Sequence, residues 1–115
     1  MHELAIAQGI LQTIEASAAT EHFQRVVQLR LQIGALAGVE PQALRFALTA
    51  VMGGTCLAGG EITIEETPGM ARCLSCGVSV EIFSYIEPCP ECGSFTLQAT
   101  GGTELRVVDL LVANE

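Results

Sequence analysis

Two Cys-x-x-Cys-Gly motifs contain four of the five cysteines of this 115-residue chain, and they offer the ligands of a metal site. The motifs are CLSCG at 73–77 and CPECG at 89–93, with twelve residues between Cys76 and Cys89. Zinc prefers four soft ligands in a tetrahedral arrangement, and two such motifs supply them. The glycine after each pair lets the chain turn back, so that backbone amides can point at sulfur. We predict a structural zinc site formed by Cys73, Cys76, Cys89 and Cys92.

Redox chemistry and disulfide bonding are the two other uses of such cysteines. A single Cys-x-x-Cys can be a redox motif, but here there are two, and neither begins a helix after a buried strand. Disulfides are rare in the cytosol, which we expect to be the compartment because Glu3 stands where a signal peptide would carry basic residues. We therefore favour a closed four-thiolate site, which has no open position for a substrate.

The amino terminus offers a second set of metal ligands, made of nitrogen rather than sulfur. The chain begins Met1-His2-Glu3, and the Met1 amine should be retained because the second residue is bulky. That amine, the amide and imidazole of His2 and the backbone amide of Glu3 can surround one ion in a plane. The first N–H groups of a helix have no intrahelical partner, so they can be spared for this purpose. Planar nitrogen coordination is what Ni(II) and Cu(II) prefer.

In the alternative interpretation, His2 binds no metal and simply lies at the start of a helix, and composition alone favours this interpretation. A cation at this end of a helix also meets an adverse dipole. The carboxylates of Glu3 and Glu40 would offset the dipole if they lay close to the ion. The other histidine, His22, falls in a polar turn and is expected to be exposed, whereas the fifth cysteine, Cys56, is expected to be a small apolar filler.

Two helices and three strands are expected to position these groups. Apolar residues recur at helical spacing from Glu3 to about Ala19, and a second helix begins near Pro41 and stops at Gly53-Gly54. Three segments alternate or are apolar enough to be strands: VVQLRLQIG, EITIEET and LRVVDLLV. We therefore predict an α+β fold in which two helices pack on a three-stranded sheet. Residues 1–69 and 97–115 would form this domain, and 70–96 an inserted zinc-ribbon module.

Composition and charge narrow the range of partners. Half of the residues are hydrophobic, with four Phe, one Tyr and no Trp, so the core must be aliphatic. Thirteen acidic residues against five Arg give a net charge of −8, which repels nucleic acid and anionic lipid surfaces. No apolar run is long enough to span a bilayer. We expect a cytoplasmic protein that binds neither nucleic acid nor membranes.

The whole chain resembles the HypA/HybF family of hydrogenase maturation nickel chaperones. The resemblance is carried by the Met1-His2-Glu3 terminus, by LQIGALAGVEPQALRFAL, EITIEE and ELRVVDLLV, and by the two cysteine motifs. It implies that His2 is the essential nickel ligand at the amino terminus and that zinc lies in the four cysteines. Some relatives have Asp at the place of Glu40, which implies an acidic group near the nickel.

The same resemblance implies partners and excludes catalysis. Members of the family are not enzymes: together with a partner GTPase they pass Ni(II) to the large subunit of nickel-iron hydrogenase, and some relatives serve urease. They occur as monomers and as homodimers. In agreement, the sequence shows no catalytic triad, no paired carboxylates in an evident cleft and no phosphate loop.

A nucleic-acid-binding or regulatory zinc ribbon is the alternative function. Such a module needs basic or aromatic residues near its cysteine motifs. The 70–96 segment has one arginine and three aromatic residues, but also three glutamates: Arg72, Phe83, Tyr85 and Phe95 against Glu81, Glu87 and Glu91. The charge therefore favours nickel delivery over this alternative.

Overall fold

The computed structural model describes residues 2–114 and has two helices and six strands in that range. In chain order they are α1 (Glu3–Glu21), β1 (Arg25–Gly34), α2 (Pro41–Val51), β2 (Glu61–Thr67), β3 (Gly69–Cys73), β4 (Ser79–Ile82), β5 (Leu97–Gly101) and β6 (Leu105–Ala113). The α+β fold class predicted from the sequence is confirmed. The three short strands β3, β4 and β5 were not predicted, because their segment carries little periodic apolar pattern.

Strand β1 is the centre of a three-stranded sheet with the order β2-β1-β6. The side chain of Gln28 contacts Thr63, and two residues further along both strands Arg30 contacts Glu65, so β1 and β2 advance in the same direction. A parallel pair needs a crossover connection, which α2 provides. The strand and helix that carry the sequence's clearest patterns therefore form one βαβ unit.

Strand β6 closes the other side of the sheet and runs antiparallel to β1. The amide of Gln24 donates to the carbonyl of Ala113, and the amide of Gly34 donates to the carbonyl of Glu104. The start of β1 therefore lies beside the end of β6, and the end of β1 lies beside the start of β6. The sheet is mixed, with one parallel and one antiparallel pair.

The side chain of Arg30 joins all three strands on the polar face of this sheet. Its guanidinium donates to both carboxylate oxygens of Asp109 on β6, at 2.9 and 2.6 Å, and to Glu65 on β2 at 3.3 Å. The hydrogen bonds from Arg30 hold the pKa of Asp109 below its usual range. This ion pair is exposed, so it contributes modestly to stability.

The described chain divides into two compact units. The first contains the residues up to Leu31, together with 39–65 and the residues from Arg106 onward. Its buried side chains are mainly aliphatic, as the composition requires, and Phe23 is an aromatic exception. The aliphatic ones include Ala7, Ile14, Val26, Leu29, Leu31, Leu44, Leu48 and Leu57. Helices α1 and α2 pack on each other within this unit.

The second unit contains 32–38 and 66–105 and is built on an antiparallel sheet with the order β4-β3-β5. Its apolar cluster is small and consists of Leu36, Ala71, Val80 and Ile82. A core of four side chains supplies little burial, so a bound metal would add a large share of this unit's stability. Residues 70–96 all lie in this unit, and the exact domain boundaries given above stay a prediction.

Three glycines allow chain segments of the second unit to touch at their backbones. A Cβ atom on Gly34 would lie 2.1 Å from the carbonyl oxygen of Gly102, and one on Gly102 would lie 2.4 Å from the Cα of Gly69. Gly102 also has a φ of +88°, which L side chains rarely adopt. No residue with a side chain can replace Gly34, Gly69 or Gly102 unless the backbone moves.

Candidate metal centres

The four predicted zinc ligands lie together at one end of the second unit. Their sulfur atoms are all within 4.8 Å of one another, with 3.6 Å between Cys73 and Cys92 and 3.8 Å between Cys76 and Cys89. All four are free thiols, so none is tied up in a disulfide. A tetrahedral zinc ion with Zn–S bonds of about 2.3 Å requires sulfurs about 3.8 Å apart. The distances of 3.6 and 3.8 Å match this value, and four sulfurs within 4.8 Å of one another are close enough to surround one zinc ion.

Both cysteine motifs fold into the same turn. The amide of Gly77 donates to the carbonyl of Cys73, and the amide of Gly93 donates to the carbonyl of Cys89, each at 2.8 Å. The two glycines have φ values of +77° and +76°, a conformation that favours glycine over every L residue. The requirement for glycine after each cysteine pair, inferred from the sequence, thus has a conformational cause.

Backbone amides and neighbouring sulfurs polarise the cluster. The amide of Cys76 donates to the Cys73 sulfur at 3.5 Å and is the main reason why the pKa of Cys73 falls to about 6. The amide of Ser94 lowers the pKa of Cys92, but hydrogen bonding to the Cys73 sulfur and burial outweigh it and raise that pKa to about 12. Backbone amide donors therefore favour the thiolate form of Cys73, which is the form that binds a metal.

The nitrogen ligands predicted for nickel belong to the start of α1. Met1 lies outside the described residues, so the position of its amine is not part of this structure. His2 is the N-cap residue, its side chain is exposed, and its imidazole makes no capping hydrogen bond. The first bond of the helix runs from the amide of Ile6 to the carbonyl of His2 at 3.1 Å. The amides before Ile6 thus precede the helical hydrogen-bond ladder.

The two acidic residues singled out from the sequence meet at the starts of the two helices. The carboxylate of Glu3 accepts a hydrogen bond from the backbone amide of Glu40 at 3.4 Å. Glu40 is the N-cap of α2, and its own carboxylate accepts from the amide of Ala43 at 2.6 Å. The starts of α1 and α2 are therefore in contact through the acidic residue that directly follows His2. A carboxylate in the first turn of a helix interacts favourably with the helix dipole.

The remaining histidine and cysteine have local structural roles. His22 ends α1 in the left-handed conformation, with a φ of 61°, and is exposed as expected. The amide of Cys56 donates to the carboxylate of Glu15 at 2.8 Å, and the thiol is half-buried. Burial, with Glu15 nearby, raises the pKa of Cys56 to about 11. The thiol is therefore protonated at neutral pH and weakly nucleophilic, which suits a filler rather than a reactive group.

Two features of the second unit were not anticipated from the sequence. The hydroxyls of Ser75, Ser94 and Thr96 hydrogen bond to one another beside the cysteine cluster. A loop after β4 exposes three large hydrophobic side chains, Phe83, Tyr85 and Ile86, each by about two thirds or more. The only sequence signal for the hydroxyls is the recurrence of small hydroxyl residues within and just after the cysteine motifs. Within residues 2–114, neither helix is long and apolar enough to cross a bilayer.

Comparison with known proteins gives matches that span almost the entire chain. A family model described as "Hydrogenase/urease nickel incorporation, metallochaperone, hypA" matches residues 1–112. The hydrogenase maturation factor HypA of Cupriavidus necator is 54% identical over 112 residues, which cover 97% of this chain and 94% of that protein. The factor of the same name from Polaromonas naphthalenivorans is 51% identical over the full length of both chains.

A solved structure agrees with the fold. The solution structure of the Ni metallochaperone HypA from Helicobacter pylori aligns with this chain at a TM-score of 0.68, with 17% sequence identity and complete coverage of both chains. At this identity the likeness concerns the arrangement of helices and strands alone. The same arrangement is thus compatible with very different surface residues.

Proposed function

Because the chain belongs to the HypA family of nickel metallochaperones for hydrogenase maturation, a family that is not catalytic, we propose that it carries Ni(II) at its amino terminus. The ligands would be the imidazole of His2, the amine of Met1 and, as a further donor, the backbone amide of Glu3. Glu40 would lie beside the bound ion and contribute negative charge rather than a direct bond. The nickel is cargo, and it must leave again.

The observation that carries this proposal is the contact between the starts of α1 and α2, next in sequence to His2. Glu3, which directly follows His2, accepts a hydrogen bond from the backbone amide of Glu40 at 3.4 Å. The imidazole of His2 is exposed and makes no capping bond. The exposure of His2 suits a carrier, because a site at the surface can pass its ion to a partner without unfolding. Nitrogen donors in a plane suit Ni(II) better than Zn(II), which prefers a tetrahedron.

For the four-cysteine cluster we propose bound zinc with a structural role. The sulfur spacing, the absence of disulfides within the cluster and the amide donors to sulfur support this assignment. With Cys73, Cys76, Cys89 and Cys92 all engaged, no coordination position remains for nickel. The zinc supplies the cross-link that the small apolar cluster of the second unit needs.

The partners proposed are the GTPase of nickel delivery and the large subunit of nickel-iron hydrogenase, met in the cytoplasm. The net charge of −8 supports a basic surface on at least one of them. It also supports the absence of nucleic acid and anionic membrane among the partners, since both would be repelled. A homodimer remains compatible with this role, as the resemblance implies.

A nickel titration of the untagged, full-length protein tests the proposal. The wild type should bind one nickel per chain, with absorption bands of a square-planar ion, and His2→Ala should lose this binding while it keeps one zinc. His22→Ala is the matched control, because His22 is also exposed at an end of α1, and it should bind nickel like the wild type. One extra residue before Met1 should weaken binding as well, since it removes the amine from the chelate. Nickel bound equally by His2→Ala would disprove the site.

A further inference from the structure

Three hydroxyl groups form a closed triangle next to the cysteine cluster. Ser75 Oγ lies 3.0 Å from Ser94 Oγ and 2.8 Å from Thr96 Oγ1, and the third side, from Ser94 Oγ to Thr96 Oγ1, measures 2.6 Å. A hydroxyl donates one hydrogen and accepts others, so three of them in a ring can satisfy every side at once. The sequence separations are nineteen, twenty-one and two residues, so two of the three bonds join distant parts of the chain.

Each corner of the triangle is tied to a different part of the metal site. Ser75 lies inside the first cysteine motif, next to Cys76. Ser94 directly follows the second motif, and its carbonyl accepts a hydrogen bond from the amide of Cys89 at 2.7 Å. The amide of Thr96, just before β5, donates to Ser94 Oγ at 3.1 Å. The side chains therefore connect the turn of the first motif to the residue whose backbone closes the turn of the second.

We propose that Ser75, Ser94 and Thr96 are positioning residues for the bound metal, and that their hydroxyl triangle slows its release by holding the two cysteine motifs together. This inference rests on the proposed zinc occupancy of the cluster. A metal held by four thiolates can leave only after at least one motif moves away from the other. Movement of the first motif would break the bonds from Ser75 to Ser94 and Thr96, because Ser75 lies in that motif and the other two follow the second. It would also break the backbone bond from the amide of Leu74 to the carbonyl of Thr96.

The triangle would also act before the metal arrives. Sulfurs that lie 3.6 to 3.8 Å apart as thiols join the two motifs through weak hydrogen bonds. The hydroxyls of Ser75, Ser94 and Thr96 add stronger hydrogen bonds of 2.8 and 3.0 Å between the same segments. The metal-free motifs should therefore stay near their metal-bound separation, which makes metal uptake fast and release slow.

The rate of zinc transfer from full-length, zinc-loaded protein to an excess of a coloured chelator tests this inference. We expect Ser75→Ala and Thr96→Val each to release zinc roughly tenfold faster than the wild type, which corresponds to about 1.4 kcal/mol and to the loss of two hydrogen bonds. Ser79→Ala and Thr100→Val are matched controls, because both residues are exposed on strands of the same unit and lie outside the triangle. They should release zinc at the wild-type rate.

Three further measurements separate positioning from general destabilisation. Cobalt(II) in place of zinc should give the same tetrahedral thiolate spectrum in Ser75→Ala as in the wild type, because all four ligands remain. Ser75→Thr keeps the hydroxyl and should restore slow release. The double variant of Ser75→Ala and Thr96→Val should release zinc less than a hundredfold faster than the wild type, because the two changes remove a shared bond.

Release from Ser75→Ala and Thr96→Val at the control rate would overturn the inference, and so would equal release from Ser75→Thr and Ser75→Ala. Should Thr96→Val fail to take up cobalt, Ser75→Ala alone decides, because it leaves the bond between Ser94 and Thr96 in place. A wild-type protein that binds no zinc at all would instead refute the zinc assignment in the proposed function.

Discussion

Glu40 has two assignments that a pair of substitutions can separate. Its carboxylate accepts a 2.6 Å hydrogen bond from the amide of Ala43 and so caps α2. Loss of an N-cap acceptor costs about 1 kcal/mol of stability, so Glu40→Ala should lower the free energy of unfolding by that amount and the melting temperature by roughly 4–8 °C. Glu40→Gln keeps an oxygen acceptor and loses only the charge, so it should cost about half as much.

Nickel binding should respond to the charge of Glu40 and not to the cap. If the carboxylate acts on the ion through its charge, Glu40→Gln and Glu40→Ala should weaken nickel binding to a similar extent, roughly threefold to tenfold for an exposed site. Urea unfolding and nickel titration of the same three proteins measure both effects. Unchanged nickel affinity in Glu40→Gln would refute the role beside the ion, and unchanged stability in Glu40→Ala would refute the cap.

Two further predictions concern the scaffold. Gly102→Ala should destabilise the fold by several kcal/mol or prevent it, because Gly102 has a positive φ and lies in contact with the backbone of Gly69. Gly9→Ala, in the open middle of α1, should instead stabilise the fold by about 1 kcal/mol. Thermal unfolding compares the two variants, and equal melting temperatures would contradict the close backbone contact at Gly102. Because Arg30 lowers the pKa of Asp109 in the folded state, the stability from this pair is present above the ordinary aspartate pKa and is lost as the pH falls through the lowered one. Asp109→Asn should therefore reduce the loss of stability on acidification in urea melts, and an unchanged pH profile would show that the pair is not formed in solution.

The elements with strong periodic patterns could be predicted from the sequence. Strand β1 alternates buried Leu29 and Leu31 with polar neighbours, and α2 has a proline at its first turn and glycines after its end. Strands β3 to β5 could not be predicted in this way. They are short, and their unit is held by turns, hydroxyls and thiols more than by a repeated apolar face.

The two candidate metal sites also differ in how far they could be predicted from the sequence. The four cysteines proposed to bind zinc are evident from their spacing, because each motif places two sulfurs on one turn. The contact between Glu3 and Glu40 depends on how α1 packs on α2, over a sequence separation of 37 residues, and no local pattern encodes it. The hydroxyl triangle was missed for a similar reason, since Ser and Thr are common in turns and carry no specific signal.

The position of β6 in the chain has a consequence for folding during synthesis. The central strand β1 needs β6 as its second neighbour, and Arg30 and Asp109 are 79 residues apart. The segments that form the cysteine cluster leave the ribosome before β6 does, and their own pairings are local by comparison. The thiols can thus acquire their ion before the terminal strand has paired with β1, so the folding protein should hold zinc before its first sheet is complete.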